Sequence, residues 1–377
     1  MSSAGNMERV LRLMADKKAS DVYLSANAPV LIKIAGQLLP VSDQVLTPAQ
    51  PRQLLAELLT PSQLEELDDS GELNVAIGLA KVGSFRLSAF RQRGSIAAVL
   101  RCIPFHIPTL DSLGVPELLA QLVLEKRGLI LVVGATGTGK STTLAAMLEK
   151  RNQELPGHIL TIEDPIEFLF TNKRSVVNQR EVGRDTDSLQ IALKNALRQA
   201  PDVILIGEVR DRETMEHAIS FAETGHLVMC TLHANSTNQA LDRVINFFPE
   251  EKRQQLLMDL SLNLRAMVSQ RLVAFKDRRG RIPAVEIMLN SPLISDLIFK
   301  GEVHEIREVM KRSREQGMQT FDQALFELHE RELISYEDAL RNADSVNDLR
   351  LQIKLNSKLY GGVAGIHKGI EHLGLAG

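Results

Sequence analysis

The chain has no tryptophan, three tyrosines and only two cysteines, Cys102 and Cys230, among its 377 residues. Two thiols cannot build a disulfide framework or a four-thiolate zinc site, and they are expected to stay reduced in a cytosolic setting. Aromatic residues make up 4% of the chain, so platforms for stacking nucleic-acid bases are not expected. These scarcities argue against a disulfide scaffold, a zinc module and a base-stacking protein.

A strong net charge and long apolar runs are also missing. The formal net charge of −3 provides no overall attraction to nucleic acid or to an anionic membrane. No stretch approaches the roughly 18 consecutive apolar residues of a transmembrane helix, and the charged N-terminal segment lacks the apolar core of a signal peptide. Peripheral membrane association stays open. A hydrophobic fraction of 44% in a chain of this length is enough for two domains with their own cores.

Residues 1–103 have the pattern of a small α+β domain. A short amphipathic helix and a strand come first, followed by a hairpin that turns at Gly36 and a helical segment that ends at Gly71. Three runs then alternate apolar and polar residues, which is typical of an antiparallel sheet with one buried face. The proline-rich stretch 104–116 is the predicted linker.

Residues 117–354 have a different pattern, in which continuous apolar strands alternate with helical stretches. The strands are LILVV, HILTI, VILIG and LVMCTL. This α/β pattern is typical of a parallel sheet covered by helices on both faces. From about residue 250 onward helices are predicted to dominate, including a helix over QQLLMDLSLNLRAMVSQRLV. The Gly-rich segment 355–377 is predicted to be a flexible tail.

Three glycines and a lysine stand where the first of these strands ends. The spacing Gly134-x-x-x-x-Gly139-Lys140-Ser141, between a strand and a helical stretch, is that of a phosphate-binding P-loop. The glycines let backbone N–H groups face one concavity, and the following helix adds its positive N-terminal end. Lys140 is expected to reach the β- and γ-phosphates of a nucleotide, and the Ser141 hydroxyl is expected to ligate Mg²⁺. The predicted nucleotide-binding residues are Gly134, Thr136, Gly137, Thr138, Gly139, Lys140, Ser141 and Thr142.

Acidic residues follow two other buried strands. In DVILIGEVRD, Glu208 comes where open α/β sheets bind their ligands, and it is the predicted ligand of Mg²⁺ and its water. In HILTIEDPIEF, Glu163 or Asp164 could polarise the attacking water, and Glu163 is favoured. An acidic pair after one strand is by itself more often a helix cap or a solvated turn. Two such positions beside a P-loop favour the catalytic interpretation.

Two histidines flank the strand LVMCTL. Their odd spacing places His226 and His233 on opposite faces of a regular strand, so both cannot enter one site from it. His233, at the C-terminal end, is predicted to sense the γ-phosphate, whereas the role of His226 stays open between packing and function. A metal site of Cys230 and His233 is an alternative that has only two ligands.

Together, GATGTGKSTT, TIEDPIEF, LRQAPDVILIGEVRD and AETGHLVMCTLHAN resemble the Walker A, Asp, Walker B and His boxes of type II/IV secretion ATPases. The resemblance covers nearly the whole chain and is strongest to the type IV pilus retraction branch, PilT and PilU. The segments KRSREQGMQTFDQAL and SYEDALRNADSVNDLRLQIKL match the PilU subgroup. The resemblance implies a RecA-like P-loop NTPase core with a smaller N-terminal PAS-like domain.

The resemblance also implies a function and a set of partners. It implies an ATP hydrolase that uses ATP and Mg²⁺, forms a homo-hexamer and drives or assists pilus retraction in twitching motility as an accessory to a PilT-like ATPase. The implied place is the cytoplasmic face of the inner membrane, beside a PilC-like platform protein. It further implies that arginines of a mobile N-terminal domain reach the γ-phosphate. Arg86 and Arg101 match that pair, although their pattern alone is that of solvated arginines on a sheet, and Arg91 and Arg93 do not match.

Three alternatives stay open. A type II secretion or pilus-assembly ATPase is disfavoured because such proteins usually carry a four-cysteine zinc insertion, and this chain has no CxxC. A RecA-like nucleic-acid motor is disfavoured by the net charge and by the lack of interleaved aromatic and basic residues, so no nucleic-acid partner is expected. The third alternative is an accessory subunit that binds ATP but mainly docks onto another motor, and the complete set of catalytic residues favours a working ATPase over it.

Overall fold

A computed structural model describes residues 5–34, 36–79, 82–103 and 106–359. The chain divides into two compact units, Met1–His106 with Glu167–Leu169, and Ile107–Ile166 with Phe170–Gly377. Residues 104 and 105 of the predicted linker and residues 360–377 of the predicted tail lie outside the described residues. The boundaries 1–103, 104–116, 117–354 and 355–377 stay predictions.

The first unit contains three helices and an antiparallel sheet of six strands within the described residues. The strand order is β3-β2-β1-β6-β5-β4, which confirms the predicted α+β organisation, while the likeness to a PAS domain stays a prediction. In chain order the elements are α1 (Asn6–Asp16), β1 (Asp21–Leu24), β2 (Pro29–Ile34), β3 (Gln37–Val45), α2 (Gln50–Leu55), α3 (Pro61–Ser70), β4 (Glu72–Leu79), β5 (Gly83–Gln92) and β6 (Ser95–Ile103).

The alternation of apolar residues determines which face of this sheet is buried. Phe85, Leu87 and Ala89 of β5 are at most 2% exposed, whereas Arg86 between them lies on the opposite face. Helix α3 ends, as predicted, at Gly71, whose φ of 79° is a left-handed conformation that favours glycine. The first unit therefore has one apolar face and one face that carries polar and charged side chains.

The second unit contains the parallel sheet and most of the helices. Its longer elements are α4 (Leu110–Leu113), α5 (Leu118–Leu122), β7 (Gly128–Val133), α6 (Lys140–Glu154), β8 (Gly157–Glu163), β9 (Ser175–Glu181), α7 (Leu189–Ala196), β10 (Val203–Ile206), α8 (Arg212–Glu223), β11 (Leu227–Leu232), α9 (Thr237–Asn246), α10 (Glu250–Asn263), β12 (Leu264–Ala274), β13 (Arg281–Leu289), α11 (Pro292–Lys300), α12 (Ile306–Arg312), α13 (Phe321–Glu330), α14 (Tyr336–Asn342) and α15 (Val346–Asn356). Short 3₁₀ turns span Leu197–Gln199, Val303–Glu305 and Arg314–Gln316.

The sheet of the second unit confirms the predicted fold class. The strand order is β13-β12-β7-β11-β10-β8-β9, and every pair is parallel except the edge pair β12–β13. All residues of β7, β10 and β11 are buried, as expected for strands covered by helices on both faces. The neighbouring parallel strands end at the same edge of the sheet. The P-loop begins at this edge, directly after β7.

The predicted helix over residues 254–273 is wrong in its second half. Helix α10 ends at Asn263, and the following residues form strand β12. Met267 pairs with Leu131 of β7, and Val268 pairs with Ile287 of β13, so the segment is held by strands on both sides. Partners distant in sequence thus override a local apolar spacing that also fits a helix. The strands β9 and β13 were not predicted either.

Among the described residues, no helix combines the length and apolar character needed to cross a bilayer.

Candidate active site at the carboxyl edge of the parallel sheet

Four neighbouring strands bring the predicted site residues of the second unit to one edge. The strands lie in the order β7, β11, β10 and β8. Gly134 follows β7, His233 follows β11, Glu208 comes two residues after β10, and Glu163 ends β8. The register pairs Val133 with Leu232, so the P-loop and the His box leave the sheet at the same level. Parallel strands thus gather residues from four separate motifs where open α/β sheets bind ligands.

The P-loop glycines make room against a neighbouring strand. A Cβ atom at Gly134 would lie 2.8 Å from the backbone oxygen of Gln270, and one at Gly139 would lie 2.8 Å from its side-chain nitrogen. Gly139, with φ of 89°, is also the N-cap of α6, which begins at Lys140. Side chains at these positions would displace the loop, so the glycines preserve a cradle of main chain at a helix N-terminus. Such a cradle fits the phosphates of a nucleotide.

Lys140 is buried beneath this loop. Its Nζ donates hydrogen bonds of 2.9 Å to the backbone oxygens of Gly134 and Ala135, and the residue is 8% exposed. Burial lowers the pKa of the Lys140 ammonium, and the negative charge of Glu208 opposes that shift. An ammonium has three N–H donors. Two of them brace the loop, which leaves the third for a phosphate oxygen.

Gln270 of β12 is a site residue that the sequence analysis missed. Its amide nitrogen donates to the backbone oxygen of Thr138 at 2.7 Å, and its amide oxygen accepts from the Thr143 hydroxyl at 2.8 Å. Gln270 is 2% exposed and therefore ties the P-loop and the first turns of α6 to the sheet. The sequence predicts a helix over this segment, and the residues Gln270, Arg271 and Leu272 form no recognisable motif. The sequence therefore does not point to Gln270 as a site residue.

Replacing Gln270 with leucine is expected to destabilise the P-loop. The substitution removes both hydrogen bonds and leaves the Thr138 oxygen and the Thr143 hydroxyl without this partner. We expect the free energy of unfolding to fall by about 1–3 kcal/mol and the KM for ATP to rise. Urea unfolding and steady-state kinetics measure the two effects. Gln255→Leu is the control, because that amide pairs with Asp259 on an exposed face of α10, and an equal loss in both variants would contradict the bracing role.

The side chains of His233 and Arg210 contact the carboxylate of Glu208. One oxygen lies 3.2 Å from Nε2 of His233, and the other accepts a hydrogen bond of 2.8 Å from Nε of Arg210. The same arginine lies 3.7 Å from a carboxylate oxygen of Asp164, and the hydrogen bond with Glu208 is the main reason why the pKa of Arg210 is raised. Arg210 thus links the Walker B motif to the Asp box. Glu208 and His233 each lie close to the C-terminal end of a strand, as the sequence predicts, whereas no sequence pattern singles out Arg210.

Glu163 and Asp164 have different surroundings. One Glu163 oxygen accepts from the Thr161 hydroxyl at 2.6 Å and from the Gln179 amide at 3.3 Å. Gln179 belongs to β9 and in turn accepts from the backbone N–H of Phe170 at 2.9 Å. The side chain of Asp164 is 59% exposed. Two donors hold the carboxylate of Glu163 at the strand end, which favours it over its neighbour for positioning a water molecule.

His226 and Cys230, which the sequence analysis also considered, do not lie at this edge. His226 precedes β11, at the opposite end of that strand from His233, and its Nδ1 lies 3.0 Å from the backbone oxygen of Phe221 at the end of α8. Cys230 is fully buried in the core, and burial raises the pKa of its thiol strongly. Among the described residues, no group of three or more His, Cys, Asp or Glu side chains could hold a metal ion.

The oxygen donors at the edge fit Mg²⁺ bound together with a nucleotide. Magnesium prefers oxygen ligands and is usually held by one or two protein groups together with phosphates and water. Ser141 is exposed in the first turn of α6, and Glu208 offers a carboxylate just after the end of β10. This donor set fits a metal ion whose remaining ligands are phosphate oxygens and water.

The two arginines predicted to reach the γ-phosphate are neighbours in the first unit. Arg86 of β5 pairs in register with Arg101 of β6. Arg101 donates through Nε to Asp21 at 2.7 Å, and Arg86 lies 3.8 Å from Glu167.

Arg91 donates instead to the backbone oxygen of Asp68, away from this pair. Like Arg91, Arg93 stands outside the pair: it occupies the β5–β6 turn with φ of 47°.

Residues 6–333 match the family profile of type II/IV secretion system proteins. The chain belongs to this family. Among its members, the type IV pilus ATPase PilU of Pseudomonas aeruginosa is 55% identical over 351 residues, which are 93% of this chain and 92% of PilU. The type IV pilus retraction ATPase PilT of the same organism is 40% identical over 338 residues, 90% of this chain and 98% of PilT.

A solved structure of a type II/IV secretion family member has the same fold. The crystal structure of the pilus retraction motor PilT with bound ADP matches with a TM-score of 0.86 at 38% identity, over 93% of this chain and 100% of that chain. The predicted family membership is therefore confirmed. The higher identity to PilU than to PilT of P. aeruginosa agrees with the predicted subgroup.

Proposed function

We propose that this chain is an ATP hydrolase of the type IV pilus that drives or assists pilus retraction. The observation that carries the proposal is the convergence of the P-loop, His233, Glu208 and Glu163 at the end of four adjacent parallel strands. Phosphoryl transfer depends on positioning and charge neutralisation, and these residues supply both. The similarity to PilU and PilT, which are named as ATPases of the type IV pilus, supports the biological setting.

The P-loop and its lysine bind the triphosphate in this proposal. Backbone N–H groups of residues 134–142 surround the phosphates, and Lys140 neutralises charge on the β- and γ-phosphates. Ser141 and Glu208 hold Mg²⁺, which neutralises charge on the phosphates when it is bound. His233, in contact with Glu208, senses the γ-phosphate. The arrangement of these groups supports binding of ATP together with a divalent ion.

Other residues position the attacking water and stabilise the transferred phosphoryl group. Glu163 orients and polarises the attacking water, supported by the two hydrogen bonds that hold its carboxylate. Arg86 and Arg101 neutralise the charge that develops on the transferred group. Hydrolysis removes the γ-phosphate that these arginines bind, so their attachment to the nucleotide depends on its state.

Assembly and location follow the family. We propose a homo-hexamer with nucleotide between neighbouring subunits, at the cytoplasmic face of the inner membrane. Its partners are a PilT-like retraction ATPase and a PilC-like platform protein, through which it associates with the membrane. No nucleic-acid partner is proposed.

Phosphate release from ATP, measured together with particle mass, tests this proposal. We expect Mg²⁺-dependent hydrolysis by a particle of six chains and no stimulation by DNA. A monomer that hydrolyses ATP at the full rate would contradict the proposed assembly. Stimulation by single-stranded DNA would favour a nucleic-acid motor.

Motor and accessory roles are separated by genetics. Deleting the gene with and without the PilT-like partner, and scoring twitching, shows whether retraction by this chain requires that partner. We expect loss of this chain to weaken retraction in the presence of the partner. Wild-type retraction when the P-loop lysine is inactivated would instead favour a role in docking alone.

A further inference from the structure

Two positive charges lie side by side on the sheet of the first unit. Arg86 and Arg101 are directly opposite each other on the antiparallel strands β5 and β6. Like charges in such positions destabilise a sheet. Two carboxylates compensate this repulsion, Asp21 beside Arg101 and Glu167 beside Arg86. The charges of these four side chains thus balance.

The two carboxylates differ in how firmly they are held. Asp21 is 3% exposed, and while one of its oxygens accepts from Nε of Arg101 at 2.7 Å, the other accepts from the Ser20 hydroxyl at 2.8 Å. The side chain of Glu167 is 47% exposed and lies 3.8 Å from Arg86. Exposed ion pairs at such distances contribute little free energy and are easily exchanged. Asp21 is therefore the fixed partner of the pair, and Glu167 is the one that another anion can displace.

Arg101 donates its hydrogen bond to Asp21 from Nε and not from a terminal nitrogen. The hydrogen bond is made by Nε, at the inner end of the group, while the Arg101 side chain remains 61% exposed. A guanidinium has five N–H donors, four of them on its two terminal nitrogens. Paired terminal N–H groups are those that bind phosphate in a bidentate manner. The geometry fixes the direction of the group and leaves its phosphate-binding end accessible.

We propose that Asp21 is a positioning residue that orients Arg101 for binding the γ-phosphate. This inference rests on the proposed role of Arg101. Asp21 does not itself contact the nucleotide and acts through the arginine. A purely structural ion pair would stabilise the sheet equally well, so the test has to separate stability from turnover.

A double-mutant cycle separates these roles. Asp21→Asn keeps an oxygen that can accept from Nε but removes the charge. Arg101→Gln places an amide nitrogen at the same chain position as Nε, so it keeps a donor to Asp21 but loses the terminal nitrogens. The two single variants and the double variant are compared in kcat and KM for ATP, with thermal unfolding as the measure of folding.

We expect kcat to fall about 100-fold in Arg101→Gln, as for the loss of one donor to a transition state. We expect a loss of about tenfold in Asp21→Asn, less than the ~100-fold that a misplacement of about 1 Å can cause. The double variant is expected to match Arg101→Gln within about twofold, because Asp21 has no arginine left to orient. Asp68→Asn, in the exposed pair with Arg52, is the control and should leave kcat unchanged.

The outcomes distinguish this inference from the proposed function. Wild-type kcat in Arg101→Gln would overturn the role of Arg101 and with it the basis of the inference. A loss in Arg101→Gln, combined with wild-type kcat in Asp21→Asn, would overturn only the positioning role. Losses that multiply in the double variant would do the same, since general damage to the fold acts independently of the arginine.

Discussion

Replacing Lys140 with alanine is expected to lower the rate of ATP hydrolysis by about 10²–10³-fold, the range for removing one group that stabilises transition-state charge. Lys140 is buried, and its ammonium is already hydrogen-bonded to the backbone of the loop that would hold the phosphates. Its loss removes two bonds that shape the loop and, in the proposed site, the charge that would face the β- and γ-phosphates. Phosphate release and binding of a fluorescent ATP analogue measure the two consequences.

The matched control lies on the same helix. Lys150 of α6 is exposed and pairs with Glu154 one turn later at 2.8 Å. Lys150→Ala is therefore expected to hydrolyse ATP at the wild-type rate, because exposed pairs of this kind contribute little. If Lys140→Ala were as active as Lys150→Ala, the assignment of residues 134–142 as the nucleotide site would be wrong.

The second large effect is expected at Glu163. Glu163→Gln keeps an oxygen that can accept from the Thr161 hydroxyl, so the local hydrogen bonding survives. The amide cannot polarise or deprotonate a water molecule, and we expect kcat to fall about 10²–10⁴-fold, the range for general-base catalysis. Binding of ATP should be unchanged. Single-turnover hydrolysis and equilibrium binding of nucleotide check both statements.

Asp164→Asn is the companion variant for this prediction. Asp164 is the neighbouring carboxylate that the sequence also allows as the catalytic group, but its side chain is 59% exposed and lies 3.7 Å from Arg210. We expect Asp164→Asn to retain most of the activity. Loss of turnover in Asp164→Asn, with normal turnover in Glu163→Gln, would transfer the catalytic role to Asp164.

Local patterns in the sequence predicted the nucleotide site and also predicted the fold class, which the structure confirms. The P-loop is contiguous in the chain, and its glycine spacing between an apolar strand and a helix has a physical meaning that needs no distant partner. The strands that precede Glu163 and Glu208 are continuous apolar runs, so their ends were visible in the sequence. The alternation around Arg86 likewise placed that residue on the polar face of an antiparallel sheet.

Other parts of the site depend on partners far away in the chain. Gln270 bonds to Thr143, 127 residues away, and Asp21 bonds to Arg101, 80 residues away. Gln270 also lies in a segment whose apolar spacing fits a helix, and only pairing with β7 and β13 makes it a strand. No spacing rule connects such positions.

The sequence by itself determined which residues can cradle a phosphate and which strands end in a carboxylate, because both properties are set by neighbours along the chain. The tertiary structure alone decided that β11 lies between β7 and β10, and hence that His233 contacts Glu208. It also decided which donors hold Glu163 and which acceptors hold Lys140 and Arg101. Strand order and side-chain hydrogen bonds are consequences of packing between distant segments, and that packing is established only when the whole chain is folded.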